Sequence, residues 1–555
     1  MKFFKIFLFI CLGAWILACS DETINSERTG VTPSDIVYND SLRSFQFLTD
    51  LYWHLPTGYR FDQVVCSTDE AVWAVPGSAA QRWGEGAWSP SALRDNLFDR
   101  CYQGIRRSFV FQNEIYPNIP DHIISPNGKT RMMAQVLFLR AYFNFELLKR
   151  FGGYPLVDHL LSDVEDLNIP RSTYDKCVEY IVELCDAAAE ELPESYPGEQ
   201  FGRATKGAAL ALKARVLLYA ASPLFNDPAK TSDDLEHGAY SPAKWEQAAK
   251  AAVDVINLNR YSLYNSYPNF FLNLSPNSEI IISRVAGDSR DLEEDNGPSG
   301  YTRGGGGTCP TWDLVCAYEM LNGEPFDPEN AAHMANPFAG RDPRFAASIL
   351  YNGADWMQNR RIETFEGGLD KTGERATPTS FYLRKFLSRT AQWTGTTGVA
   401  NHSFPLIRYG EVLLNYAEAM NEAYGPDNDN GYGLTARDAI EMIRERAGLT
   451  GNIDLSNTVS ADDKDKMREA IRHERRIELV FEEHRHLDLR RWKTAEIVLN
   501  QAVSGLKIER ATGGALTYTP IPNVQNRIFN AKMYLYPFPQ TEMARNSRLI
   551  QNTDW

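Results

Sequence analysis

Apolar positions recur every three to four residues along most of this 555-residue chain, a period that predicts helices rather than strands. The longest run, RMMAQVLFLRAYFNFELLKRFGGYPL, is stopped by Gly152-Gly153 with Pro155 beyond. STYDKCVEYIVELCDAAAEELPE reads as a helix opened by Ser172 or Thr173 and closed before Pro193. GRATKGAALALKARVLLYAASPLF carries Gly207, Ala208, Ala211 and Ala214, small enough for a neighbouring helix to come close. SPAKWEQAAKAAVDVINLNRYSLY, PLIRYGEVLLNYAEAMNEAYG and TARDAIEMIRERAGL continue the pattern. WSPSALRDNLFDRCYQGIRRSFVFQNEI is expected to start at Ser89, with Pro90 in the first turn. Ala-rich helices joined by short turns predict tetratricopeptide-like pairs, though the strict repeat consensus is absent. The period fades from about 56 to 90 and from about 265 to 400, where Gly, Pro, Asn and aromatics rise and only EIIISRV resembles a strand. The expected class is mainly α, a scaffold of helix pairs packed against an irregular, loop-rich half.

The first residues break this pattern. Lys2 and Lys5 precede a mostly apolar run, Ile6 to Leu17, shorter than the ~20 residues that span a bilayer. It reads as a signal peptide over residues 1–18. Ile16-Leu17-Ala18-Cys19 has the order of a lipobox, with Cys19 as the lipidated (palmitate-bearing) residue. Residues 19–35 are polar and aperiodic, as a flexible tether would be. The folded domain is expected over 36–555.

Net charge changes the picture by exclusion: −15 argues against a nucleic-acid partner. Six cysteines follow Cys19 and none form CxxC, so a zinc ribbon is unsupported. Cys177 and Cys185 lie about 12 Å apart on one helix and read as core thiols. Cys309 with Cys316, or Cys66 with Cys101, remain possible pairs.

HERRIELVFEEHRHLDLRRW, residues 473–492, invites a metal reading, but His473-Glu474 is followed at i+4 by Ile477, so HExxH fails. Read as one helix, Ile477, Val480, Phe481 and His484 form its buried stripe. Arg475, Arg485 and Arg491 then stand three residues from Glu478, Glu482 and Asp488, as partly buried structural ion pairs. No metal, cofactor or catalytic residue is expected.

The ordered residues Arg475, Arg476, Glu478, Leu479, Glu482, Arg485, Asp488, Leu489, Arg491 and Trp492 resemble the C-terminal signature of the SusD/RagB family of outer-membrane nutrient-binding lipoproteins. Glu483 stands where that family usually has Gly. FLRAYFNFELLKRFGGYPL and YPFPQTEMARNSRLIQNTDW agree with the same resemblance, which covers essentially the whole mature chain. It implies a lipid-anchored protein on the outer face of the outer membrane. It also implies four tetratricopeptide-like helix pairs, an oligosaccharide ligand (peptides in some branches), and delivery to a SusC-like TonB-dependent transporter. Family members bind rather than catalyse; a helical scaffold without a small ligand and a glycoside hydrolase are the alternative classes. The resemblance places an acidic residue of the Asp69-Glu70 segment near the ligand. By composition, Arg82, Trp83 and Trp88, with Tyr301, Arg303 and Trp312 across the glycine run Gly304 to Gly307, are expected to form an exposed stacking and hydrogen-bonding surface.

Overall fold

A computed structural model describes residues 39–58, 64–162, 164–272, 276–390 and 399–555. The signal segment, Cys19 and most of the tether lie outside them. The principal helices are α1 (Ser41–Trp53), α2 (Phe98–Val110), α3 (Pro126–Phe151), α4 (Tyr174–Glu191) and α5 (Lys206–Ala221). They continue with α6 (Ala243–Ile256), α7 (Tyr409–Tyr424), α8 (Ala436–Ala447), α9 (Lys464–Glu478) and α10 (Arg485–Arg491).

Local chemistry sets most of these bounds. The side chains of Ser125, Thr173 and Thr205 accept the first free backbone N–H groups of α3, α4 and α5. Thr435 and Asp438 make a reciprocal box at α8, and Gly152 (φ 73°) closes α3. In sequence order α2 to α6 pack each on the next, and α7 packs against α6, α8 and α9. The protein is thus mainly α, built from helices that pack on their neighbours in chain order. At Gly207 the Tyr261 hydroxyl sits 2.2 Å from where a Cβ would stand, so this face of α5 is small because a tyrosine occupies it.

The strands are short and pair two by two, all antiparallel. β1 (Ala71–Trp73) pairs with β4 (Thr308–Pro310), β2 (Ile280–Arg284) with β8 (Phe404–Arg408), and β3 (Asp288–Ser289) with β7 (Ala400–Asn401). β5 (Ile349–Leu350) pairs with β6 (Tyr382–Leu383), and β9 (Val503–Arg510) with β10 (Leu516–Gln525). The last hairpin was not expected from the sequence: β10 is largely exposed, so it shows no clear alternation of buried positions. β1–β4 and β2–β8 stitch the loop-rich segments to each other and to the start of α7.

Three expectations need correction. α2 begins at Phe98, because Ser89 and Ala92 close a tight bridge on each other and the Asn96 side chain takes the Phe98 N–H at 3.0 Å. None of the six cysteines after Cys19 forms a disulfide, so neither possible pairing forms. The charged stretch is two helices, not one: α9 ends at Glu478 and α10 opens at Arg485, with Phe481 (φ 62°) and Glu483 (φ 65°) left-handed between them.

The position where the family has Gly therefore does turn sharply, and Glu483 bears the strain. A left-handed L-residue costs about 1–2 kcal/mol, while a glycine returns about 0.5–1 of that through the unfolded chain. Glu483→Gly is expected to raise stability by up to about 1 kcal/mol, read as a higher urea midpoint at unchanged slope. A lower midpoint would show that contacts of the Glu483 side chain outweigh the backbone strain.

Candidate functional site

The signature residues form an ionic core. Glu478 is fully buried between Arg408 (Nη1, 2.7 Å), Arg344 (Nη1, 3.1 Å) and Arg446. Glu482 takes Arg408 Nε and Lys385 Nζ, both at 2.8 Å. Asp488 holds Arg475 at 2.7 Å and Arg491 at 2.8 Å, and Glu418 of α7 binds Arg491 (2.6 Å) and the Trp492 indole N–H (2.7 Å). The cations overcome burial and keep the carboxyls of Glu478, Glu482 and Asp488 below their ordinary range. Only Arg491–Asp488 matches the expected i,i+3 pairs. The turn at 479–484 swings Arg485 away from Glu482, and it grips Asp69 instead, Nε at 2.9 Å and Nη2 at 2.8 Å.

That contact decides the Asp69-Glu70 segment. Asp69 is also held by Arg476 at 2.8 Å. Glu70 is 1% exposed; burial, partly offset by Arg485, pushes its carboxyl up to about 7. Arg527 binds the carbonyls of Cys66, Thr68 and Ala71. In this structure both acids are pinned from behind by the C-terminal signature and do not open to a ligand.

The four expected rings are buried too. Trp83 packs on His486, ring centres 4.7 Å apart, and edge-on to Trp88 at 5.2 Å. Trp88 also meets Tyr536 at 5.4 Å and the C-terminal Trp555 at 5.1 Å. Tyr301 donates to the Met357 carbonyl at 3.1 Å beneath the Arg360 guanidinium, and Trp312 stacks on Phe381. None is more than 7% exposed. The chain's tail and residues far away in sequence cover them, so the expected stacking surface is core. Arg82 and Arg303 are exposed: Arg82 donates to the Gly77 carbonyl, and Arg303 (φ 65°) pairs with Glu294 at 2.9 Å.

An exposed ring stands elsewhere. α1 buries Ser44, Leu48 and Leu51, which leaves Trp53, its last residue, 68% exposed. The Arg284 guanidinium lies 4.7 Å from its ring centre, a cation–π contact on one face. Arg284 Nη1 donates to the Val285 carbonyl at 3.0 Å, but its buried Nε finds no hydrogen-bond partner. Beside this pair runs a cleft of about 310 Å³, lined among others by Asp291, Asp295 and His402.

Its floor is built by the strands. β2 ends at Arg284, and residues 285–287 are tied across by Asn401 Nδ2 to the Ala286 carbonyl (2.9 Å) and Ala286 N–H to Ser403 Oγ (3.1 Å). His402 is fixed on Glu293 at 2.9 Å. Partial burial, with Asp291 and Glu294 nearby, raises the Asp295 carboxyl above its usual range. The helix carrying these acids, Asp291–Asn296, is the one Arg303 clamps through Glu294, so that expected residue borders the cleft's wall. The cleft combines an aromatic face, a guanidinium with an unused donor, and two carboxylates, the groups that recognise a ring with one apolar face and a rim of hydroxyls. The sequence did offer a signal for Trp53: it lies off the 44-48-51-55 stripe that faces inward.

Among the described residues no three His, Cys, Asp or Glu side chains gather as a metal site, and no helix is long and apolar enough to cross a membrane.

Comparison with known proteins follows the same lines. The model of the family described as "SusD family" matches residues 277–555, just over half of the chain, and that described as "Starch-binding associating with outer membrane" matches 62–218. SusD-like protein P2 of Formosa agariphila is 26% identical over 443 residues, 77% of this chain and 74% of its own length. A SusD-like protein of Bacteroides fragilis superposes with a TM-score of 0.78 at 28% identity, over 95% of this chain and all of that one. A SusD-like carbohydrate-binding protein of the same organism gives 0.73 at 25%, over 93% of this chain and all of that one.

Proposed function

The chain belongs to the SusD family, and from that premise we propose that it is an outer-membrane glycan-binding lipoprotein, anchored through Cys19, that captures oligosaccharides in the Trp53 cleft and passes them to a SusC-like TonB-dependent transporter. The starch-binding, outer-membrane description of the matching family model supports the class of ligand and the location. The single observation that carries the site is Trp53: a large indole left 68% exposed at the end of α1, beside the half-buried Arg284 guanidinium, whose Nε has no hydrogen-bond partner. The sugar's C–H face stacks on the ring's open side, Arg284 donates to hydroxyl oxygens, and Asp291 and Asp295 accept hydroxyl protons. The role is binding; turnover of glycans by the purified protein would contradict it.

Removing a stacking ring costs about 1–3 kcal/mol by analogy with base–aromatic platforms, which is roughly five- to a hundredfold in affinity. Trp53→Ala is therefore expected to weaken oligosaccharide binding by at least about fivefold in isothermal titration, with the circular dichroism spectrum and melting unchanged. Wild-type affinity in this variant would move the site away from α1.

A further inference from the structure

We infer that the Trp53 cleft is one end of a longer groove, and that a second cleft at Tyr196, Arg203, Arg260 and Tyr261 holds the more distant units of an extended oligosaccharide. This rests on the glycan-binding reading and specifies an oligosaccharide long enough to occupy both clefts at once.

α1 carries two aromatic–arginine stacks. Arg284 lies over Trp53, and Arg203 lies over Phe45 with its guanidinium carbon 5.7 Å from the ring centre. Phe45 is 38% exposed and stands eight residues before Trp53, roughly 12 Å along the helix axis. The two arginines come from segments that touch. Val285 Cγ2 lies 2.3 Å from where a Cβ on Gly202 would stand, and the Ser283 carbonyl lies 3.3 Å from the same point. Gly202 holds φ at +87°, so both its conformation and its neighbour favour glycine. Val285 lines the Trp53 cleft, whereas Gly202, Arg203 and Ser283 line the second, of about 360 Å³. The clefts are neighbours across this glycine contact, with α1 alongside both.

The second cleft repeats the first one's chemistry. Tyr261 supplies a half-buried ring whose hydroxyl is engaged with Thr205 at 3.2 Å. The Tyr196 hydroxyl is buried without a hydrogen-bond partner, a cost that a ligand hydroxyl would relieve. Arg260 is exposed, and its contact with Glu194 is long, 3.9 Å, leaving donors for hydroxyl or acidic groups. Gln200 adds an amide on the same lining.

The test is an array printed with length series, two to eight units, of α-1,4-, β-1,3- and β-1,4-linked oligosaccharides and of charged animal and algal glycans. The best series is then titrated in solution. Wild-type affinity is expected to rise with length, and Tyr196→Ala/Arg260→Ala to lose tenfold or more on the longest member while the shortest binds as before. The shortest member is thus the internal control for folding. Trp53→Ala should weaken every length. Affinity that does not change with length, or a double variant that keeps the full gain, overturns the second cleft while leaving the first intact. Absence of wild-type binding anywhere on the array defeats the glycan-binding reading, and this inference with it.

Discussion

Glu478→Ala should lower the stability of this protein by about 3–5 kcal/mol, the range for removing one partner of a buried ionic cluster. The carboxylate has no solvent exposure and sits among three guanidiniums, of Arg344, Arg408 and Arg446. Those arginines have other anions: Glu474 and Asp342 for Arg344, Glu482 and Glu279 for Arg408, Glu279 for Arg446. Each bonds Glu478 as well, so its loss strips one anionic partner from all three and leaves Arg446 Nη2, which bonds nothing else, unpaired where water cannot solvate it. The cluster does not need to be a net source of stability for this to hold, since well-packed apolar residues can replace a buried ionic cluster whole at little cost. What it does is fix α9 against β8 and the 341–344 and 444–446 segments. An unfolding free energy in urea within about 0.5 kcal/mol of wild type would show the site to be hydrated or readily relaxed. Glu478→Gln is the milder companion, since it keeps the shape and loses only the charge.

The second large effect is acid instability that begins well above the carboxylate range. His484 and His486 are held below the ordinary histidine range, His484 to about 4, chiefly by burial. Around His484 stand Glu411 at 3.9 Å and Arg475 at 3.4 Å. His486 accepts from Arg490 on Nδ1 at 2.9 Å, so its Nε2 carries the proton and donates to Tyr536. A protonated His486 would set N–H against the Arg490 guanidinium. Both rings are thus neutral in the fold, and the unfolded chain binds the extra protons below about pH 6.5. With the folded values depressed, stability is full above that point and is lost as pH falls, at about 1.4 kcal/mol per pH unit per histidine. These two histidines give about 2.7 kcal/mol per unit between pH 6 and 5. Partly buried His473, also held to about 4, adds a third share, and Glu70, whose folded carboxyl stands at about 7, returns about one share because the fold takes up its proton first. Paired carboxylates such as Glu482 add their own loss below about 4.5. Urea midpoints from pH 8 to 5 check this: a flat profile across 6.5 to 5 contradicts it, and His484→Gln/His486→Gln should flatten the wild-type slope.

The charges and rings are placed by chain segments far apart in sequence. Arg408 and Glu478 are 70 positions apart, and Arg485 and Asp69 are 416 apart. No local period reports such pairs. The sequence supplied the charges and an apolar stripe, from which pairs three residues apart along one helix followed; the turn at 481–483 cancelled Arg485–Glu482, and Arg475, on the same helix as Glu478, reaches Asp488 and Asn415 instead, so only Arg491–Asp488 forms. The same distance hid the fate of Trp83 and Trp88. A glycine-flanked loop with two indoles reads as exposed, yet His486, Tyr536 and Trp555 close over it.

What the sequence determined alone is what short-range chemistry controls. Caps at Ser125, Thr173 and Thr205, the stop at Gly152 and the 3.6-residue stripes set the helices, because each depends on atoms within a turn or two. The run of signature residues was legible for the same reason, as was the mainly α class. Tertiary structure alone decided which aromatic stays outside. Burial is a competition among all segments for the same interior, and Trp53 lost it because Ser44, Leu48 and Leu51 hold the inward face of α1. Only the paired strands that bring 284–289 beside 400–403, and the short acidic helix that follows, turned that leftover ring into one wall of a cleft.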